Sequence, residues 1–240
     1  MGNSLLVYLN KRLREENSYR KDPATTAGPV ITISREVGCN GLKLAGLIAD
    51  RLNKKKMYSE WKVLSKEIFY QSAKELDLEP NRVSRILKQT DKYTFEEILN
   101  AFKEKQYKSE RKIVKTVADV VRTFAIDGFC IIVGRSGHLI ASDIKNALHL
   151  RLVAPLEYRI KVIMENNNLN RDEANLFIHR VEKERIAFRN AILQGHMASE
   201  IFDLTINRAS FHDEEVVDII EYAIKEKGIL QLNKPKMEFY

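Results

Sequence analysis

An apolar, β-branched run, Val30 to Ile33, passes through a short loop holding Gly38 and Gly41 into a segment with Leu44, Ala45, Leu47, Ile48 and Leu52 at helical spacing. Strand, glycine turn and helix form the arrangement in which α/β proteins hold phosphate. Glycine lets backbone N–H groups crowd round an anion, and the start of the helix adds a favourable dipole. The stretch Pro29 to Leu52 is not a standard Walker A loop, Gly-x-x-x-x-Gly-Lys-Ser/Thr. Gly41-Leu42-Lys43 stands where Gly-Lys-Ser/Thr belongs.

The same alternation continues downstream. Phe129 to Val133 is a continuous apolar run of the kind that forms a buried parallel strand. It ends in a second glycine-bracketed turn, Gly134-Arg135-Ser136-Gly137. Leu148 to Val153 reads as a third strand, with His149 and Arg151 alternating against leucines, and Ile201 to Ile206 as a fourth. Met57 to Trp61 reads as a short strand or loop. Helices are expected after Ser109, after Pro155, after the Asn170-Arg-Asp-Glu173 cap and after Ser210-Phe-His-Asp213. Residues 57–127 form a helical block between strands, and residues 165–200 form helices beside the site. Residues 1–28 are an appendage, and either a tail or a dimer contact accounts for Leu5, Leu6, Leu9 and Leu13. Residues 228–240 are a second tail. Strands alternating with helices imply an open parallel sheet with helices on both faces and ligands at the strands' C-terminal ends. Both glycine turns fall there.

Composition excludes several function classes. No run approaches the ~18 apolar residues of a membrane span. The start lacks a secretory cleavage site, so a cytoplasmic protein is expected. Two cysteines, Cys39 and Cys130, make neither a disulfide framework nor a zinc site, and the five histidines have no metal-ligand spacing. The net charge of +7 suits either nucleic acid or small polyphosphates. The basic residues are spread along the chain without interleaved aromatics, which favours the second.

Phosphoryl transfer needs phosphates held in line, charge neutralised and water excluded. Backbone N–H groups of residues 38–43 would hold donor phosphates. Arg35, Lys43, Arg135, Arg159, Arg185 and Arg189 are the candidates for neutralising the transferred group. Glu182, Arg185 and Arg189 recur at i, i+3 and i+7 and share one helix face. Glu182 is placed to accept from a base or sugar, or to orient an arginine. The bland alternative for such a row is a solvated face. Arg135, directly after a buried strand and between glycines, is poorly explained by packing.

Taken in order, ITISREVG-x-x-G, IIVGR, LRLVAPLEYRIKVI, VEKERIAF and FDLTIN resemble the cytidylate kinase-like family, from about Val30 to Ile224. The resemblance implies a P-loop fold: a three-layer α/β/α sandwich with a parallel sheet and an inserted helical nucleotide-binding and lid region. It also implies phosphoryl transfer from ATP to CMP or dCMP, with Mg²⁺. By resemblance Gly38, Cys39, Asn40, Gly41, Leu42 and Lys43 match the phosphate loop. Gly134 and Arg135 match the Gly-Arg that faces the acceptor nucleotide. Arg159 matches the arginine before the lid, and Glu182 and Arg185 match an Asp-x-x-Arg pair that meets the acceptor and its phosphate. Phe202, Asp203 and Asn207 match residues framing the last strand. The chain departs from the family in its loop, where lysine, magnesium-binding hydroxyl and the arginine of the kinase-like branch are missing from their positions. Ser136 stands where cytidylate kinases have Asp. A binding protein that kept the fold and lost catalysis is the alternative reading.

Overall fold

The computed structural model describes residues 27–55, 59–65, 110–193 and 200–230. The leucines of the appendage, Leu5 to Leu13, residues 66–109 of the expected helical block, Met57, Tyr58 and most of the C-terminal tail lie outside these. Five strands are described: β1 (Val30–Arg35), β2 (Lys62–Leu64), β3 (Cys130–Val133), β4 (Ala147–Val153) and β5 (Leu204–Asn207). They form one parallel sheet in the order β2-β3-β1-β4-β5. The helices are α1 (Gly41–Lys54), α2 (Glu110–Asp127), α3 (Gly137–Ile140), α4 (Leu156–Asn167), α5 (Arg171–Leu193) and α6 (Asp213–Lys227).

Side chains alternate across a strand, and here the alternation divides the core in two. Ile31, Ile33, Ile131, Val133, Leu148, Leu150 and Leu152 face α1 and α6 and pack on Leu44, Ile48, Val217 and Ile220. Val30, Cys130, Ile132 and Ala147 face the other way, onto Ile113, Val117, Val121 and Phe124 of α2 and Phe188 of α5. Strands apolar on both faces need cover on both, so three layers result. A smaller cluster of Val37, Ile160, Ile163, Ala174 and Ile178 ties the α4–α5 hairpin to the loop after β1.

β1 ends at Arg35 rather than Ile33, β4 begins at Ala147 rather than Leu148, and three further strand starts differ from expectation. The short strand near Trp61 is Lys62–Leu64, because the Trp61 backbone is held by the Asn53 side chain through both its N–H (2.7 Å) and its carbonyl (3.1 Å). Phe129 adopts φ 47° and so cannot open β3. β5 begins at Leu204, after the Asp203 N–H has bonded the His149 carbonyl at 2.8 Å. The helix starts agree more closely. Asn170 and Glu173 form a reciprocal box, each side chain accepting from the other's N–H at 2.9 Å.

One polar pair inside this frame has a consequence for stability. His149 Nδ1 lies 2.8 Å from Thr32 Oγ1, across the β1–β4 register. Burial, opposed by Asp203, lowers the His149 pKa from 6.5 to about 4. The folded state therefore keeps the ring neutral, while the unfolded chain binds its proton below 6.5. Stability is expected to fall as pH drops from 6.5 toward 4, by at most about 3 kcal/mol from this group. His138, held below its ordinary value by burial, adds in the same sense. Urea denaturation across that range should show the slope, and His149→Gln should remove most of it. An unchanged slope in the variant would assign it to other groups.

Candidate active site

The parallel register sets the C-terminal ends of β1 and β3 side by side, with Ile33 opposite Val133. The Gly134 N–H then donates to the Ile33 carbonyl at 2.9 Å. Gly134, Arg135 and Ser136 follow with φ of 80°, 56° and 52°. Three consecutive left-handed residues turn the chain sharply into α3. For a residue with a Cβ this conformation costs about 1–2 kcal/mol, and such strain is typically stored at functional sites.

Beside this turn opens a cavity of about 220 Å³. Thr32 and Ser34 of β1 and Arg151 of β4 line it from the sheet, on the same strand faces that carry Val30 and Ala147 below. Residues 134–138 form a wall. Glu182, Arg185, Ile186, Phe188 and Arg189 of α5 cover it. Arg35 runs between the two glycine turns. A Cβ on Gly41 would lie 3.2 Å from Arg35 Cγ, and one on Gly134 would lie 2.0 Å from Arg35 Nη1. Both glycines leave room for this one side chain.

Five arginines line the cavity, and four of them, Arg35, Arg135, Arg151 and Arg185, crowd together. Burial, then the charges of Arg185, Arg135 and Arg151, holds Arg35 well below the usual arginine range. Burial, then Arg185, brings Arg135 down to about 9, with Glu184 pulling the other way. Arg185 is lowered to about 10, mainly by burial, with Glu182 opposing. Arginine does not lose its proton near neutrality, so the cluster is a set of mutually repelling cations. A phosphate dianion is the kind of ligand that relieves this. Several bonds aim the group: Arg185 Nη1 donates to the Arg35 carbonyl (2.8 Å) and Arg151 Nη1 to Ser34 Oγ (2.8 Å). At the outer end Glu200 takes Arg189 Nη1 at 2.9 Å and stands 3.0 Å from His138 Nε2. The His138 ring lies against Phe202, with centroids 4.6 Å apart.

Of the residues singled out from the sequence, Arg35, Arg135, Glu182, Arg185 and Arg189 all line this cavity. Residues 38–43 do not line it, and neither does Arg159. Arg159 pairs with Glu182 through Nη1 and with Glu36 through Nε at 3.5 Å. Its backbone packs on Gly38, where a Cβ would meet Arg159 Cα at 2.8 Å and where φ is +92°. Cys39 is buried, and burial raises its thiol to about 11, so it is no nucleophile. Asn40 takes a left-handed φ of 46° before α1, and its Oδ1 accepts from Asn166 at 2.9 Å. Gly41 is buried and Leu42 exposed. Lys43 Nζ lies 2.9 Å from Asp213.

Arg151, His138 and Glu200 belong to the cavity and were not singled out. Arg151 carried a signal: a charged residue inside a strand with neighbours on both sides has to face something polar. Glu200 is brought in by tertiary packing and has no sequence pattern of its own.

The residues do not fit a protein-held magnesium ion. A P-loop holds that ion by a Ser or Thr and a carboxylate. Here Leu42 and Lys43 follow the glycine, and the nearby Asp213 is committed to Lys43 and Arg208. Among the described residues no group of three or more His, Cys, Asp or Glu side chains could hold a metal ion.

A family model described as the cytidylate kinase-like family matches residues 30–210. An uncharacterized protein from Eubacterium ventriosum has a similar fold, with a TM-score of 0.58 and 20% identity over 82% of this chain and 98% of that one. A shikimate kinase from Bacteroides thetaiotaomicron gives a TM-score of 0.45 at 11% identity, over 82% and 98% of the two chains. A uronate isomerase from Corynebacterium glutamicum is 28% identical over 91 residues, which is 38% of this chain and only 18% of that protein. Among the described residues no helix is long and apolar enough to cross a membrane.

Proposed function

We propose, because the chain belongs to the cytidylate kinase-like family, that it is a nucleotide kinase that transfers a phosphoryl group from ATP to CMP or dCMP. The observation that carries this reading is the convergence of Arg35, Arg135, Arg151 and Arg185 on one cavity at the C-terminal ends of β1, β3 and β4. The arginines bind the acceptor's phosphate and spread charge from the transferred group as it moves, while α5 covers the cavity and limits water. Glu182 and Arg189 stand at the α5 side, where a base or sugar would lie. The donor phosphates rest on the backbone of residues 38–43, separated from the acceptor side by the Arg35 side chain. Magnesium would arrive on the donor's phosphates, since the residues do not fit a protein-held ion.

A coupled assay of ADP release with CMP, dCMP, UMP and AMP tests the proposal. Turnover strongest with CMP or dCMP is expected, and no turnover with any acceptor would overturn it. One observation favours a second reading, a nucleotide-binding protein without catalysis: Lys43 and Arg159 do not line the cavity and are both tied up in ion pairs, Lys43 with Asp213 and Arg159 with Glu36 and Glu182. Calorimetry that finds tight CMP binding with no turnover, even after Leu42→Lys and Lys43→Thr, would select it.

A further inference from the structure

Arg208 follows β5 directly, and its backbone N–H donates to the Val153 carbonyl at 2.8 Å, at the edge where β4 ends. The side chain is only 4% exposed. Nη2 pairs with Asp213 Oδ1. Nε and Nη1 are buried with no hydrogen-bond partner among the described residues. A buried donor left unpaired is costly, the more so on a charged group. The other Asp213 oxygen meets Lys43 Nζ in the first turn of α1. One carboxylate thus serves two cations. They stand at a helix start with no side-chain cap and no acidic residue in its first turn. Arg208 also acts electrostatically on Cys39, inside the glycine loop itself.

We propose that Arg208, with Lys43, makes the cationic contact to the donor nucleotide's phosphates that a P-loop lysine makes elsewhere. This rests on the reading of residues 38–43 as the donor loop. Asp213 occupies both cations while no anion is bound; an anion that takes Asp213's place frees the guanidinium to turn its two buried, unpaired donors to phosphate oxygens. The geometry explains how a chain with Leu42 in place of the loop lysine retains positive charge at that loop: it comes from β5, across the sheet edge, rather than from α1 alone.

Calorimetric titration of the full chain with ATP, with sodium tripolyphosphate and separately with CMP tests the assignment. Arg208→Gln is expected to weaken ATP and tripolyphosphate on the order of tenfold or more and to leave CMP unchanged. Asp213→Asn, which frees both cations, should tighten tripolyphosphate several-fold. Equal tripolyphosphate affinity in wild type and Arg208→Gln overturns the proposal, as does weakening by Asp213→Asn. Should Arg208→Gln fail to fold by circular dichroism, Asp213→Asn decides. A wild type that binds CMP but neither ATP nor tripolyphosphate overturns this inference and leaves the acceptor site standing. A wild type that binds none of the three overturns both.

Discussion

Replacing Arg35 with methionine is expected to lower kcat/KM for nucleotide phosphorylation by about 10²–10³, the usual loss when one preorganised charge contact to the reacting group is removed. The same variant should fold at least as well as the wild type. Arg35 lies among three other guanidiniums, and its burial and their charges disfavour its own charge in the folded state. Deleting that charge removes a folding cost, while methionine keeps the apolar stem that packs beside Gly41. Steady-state kinetics and urea denaturation on the same preparation check both halves. Full activity, or a loss of more than about 2 kcal/mol of stability, would show that Arg35 is a structural residue and not a ligand-binding one.

Gly134→Ala should give the opposite pairing, a loss of both activity and stability. A Cβ there would lie 2.0 Å from Arg35 Nη1. That atom is the far end of a flexible side chain, so Arg35 swings away and the steric cost is small. What remains is the backbone at φ +80°, which costs an alanine about 1–2 kcal/mol. The displaced guanidinium leaves the cavity, and activity falls as it does in Arg35→Met. The double variant distinguishes the two effects. Once Arg35 is gone, Gly134→Ala should cost stability as before and add little further loss of activity. Additive activity losses would mean that Gly134 acts through something other than Arg35, such as the aim of Arg135.

Much of the site is legible in residue order, and the reasons are local. Gly134-Arg135 is visible because a buried apolar run ends there in glycine, and a charge at that point has no packing role. Glu182, Arg185 and Arg189 are visible as one helical face. What they face is not visible: a charged row on a helix has the same spacing against solvent as against a cavity. Lys43 shows what residue order leaves out. Its ammonium pairs with Asp213, a partner 170 residues away. Arg159 is likewise neutralised by Glu36 and Glu182. Ion pairing between distant residues depends on which elements pack together, and no spacing rule reports it.

Periodicity and punctuation in the chain were enough to determine a parallel α/β sheet, its glycine turns at the strand ends and the existence of an arginine-rich site. Those features depend on interactions within a few residues or on burial of whole runs. Tertiary structure alone decided that Arg35 threads between Gly41 and Gly134, that Arg151 joins it, and that Arg208 comes to share Asp213 with Lys43. Each of these depends on strand order and register, which bring β3 and β4 beside β1 across a hundred residues or more and β5 beside β4, and there the sign and spacing of charges are set by neighbours the chain does not announce.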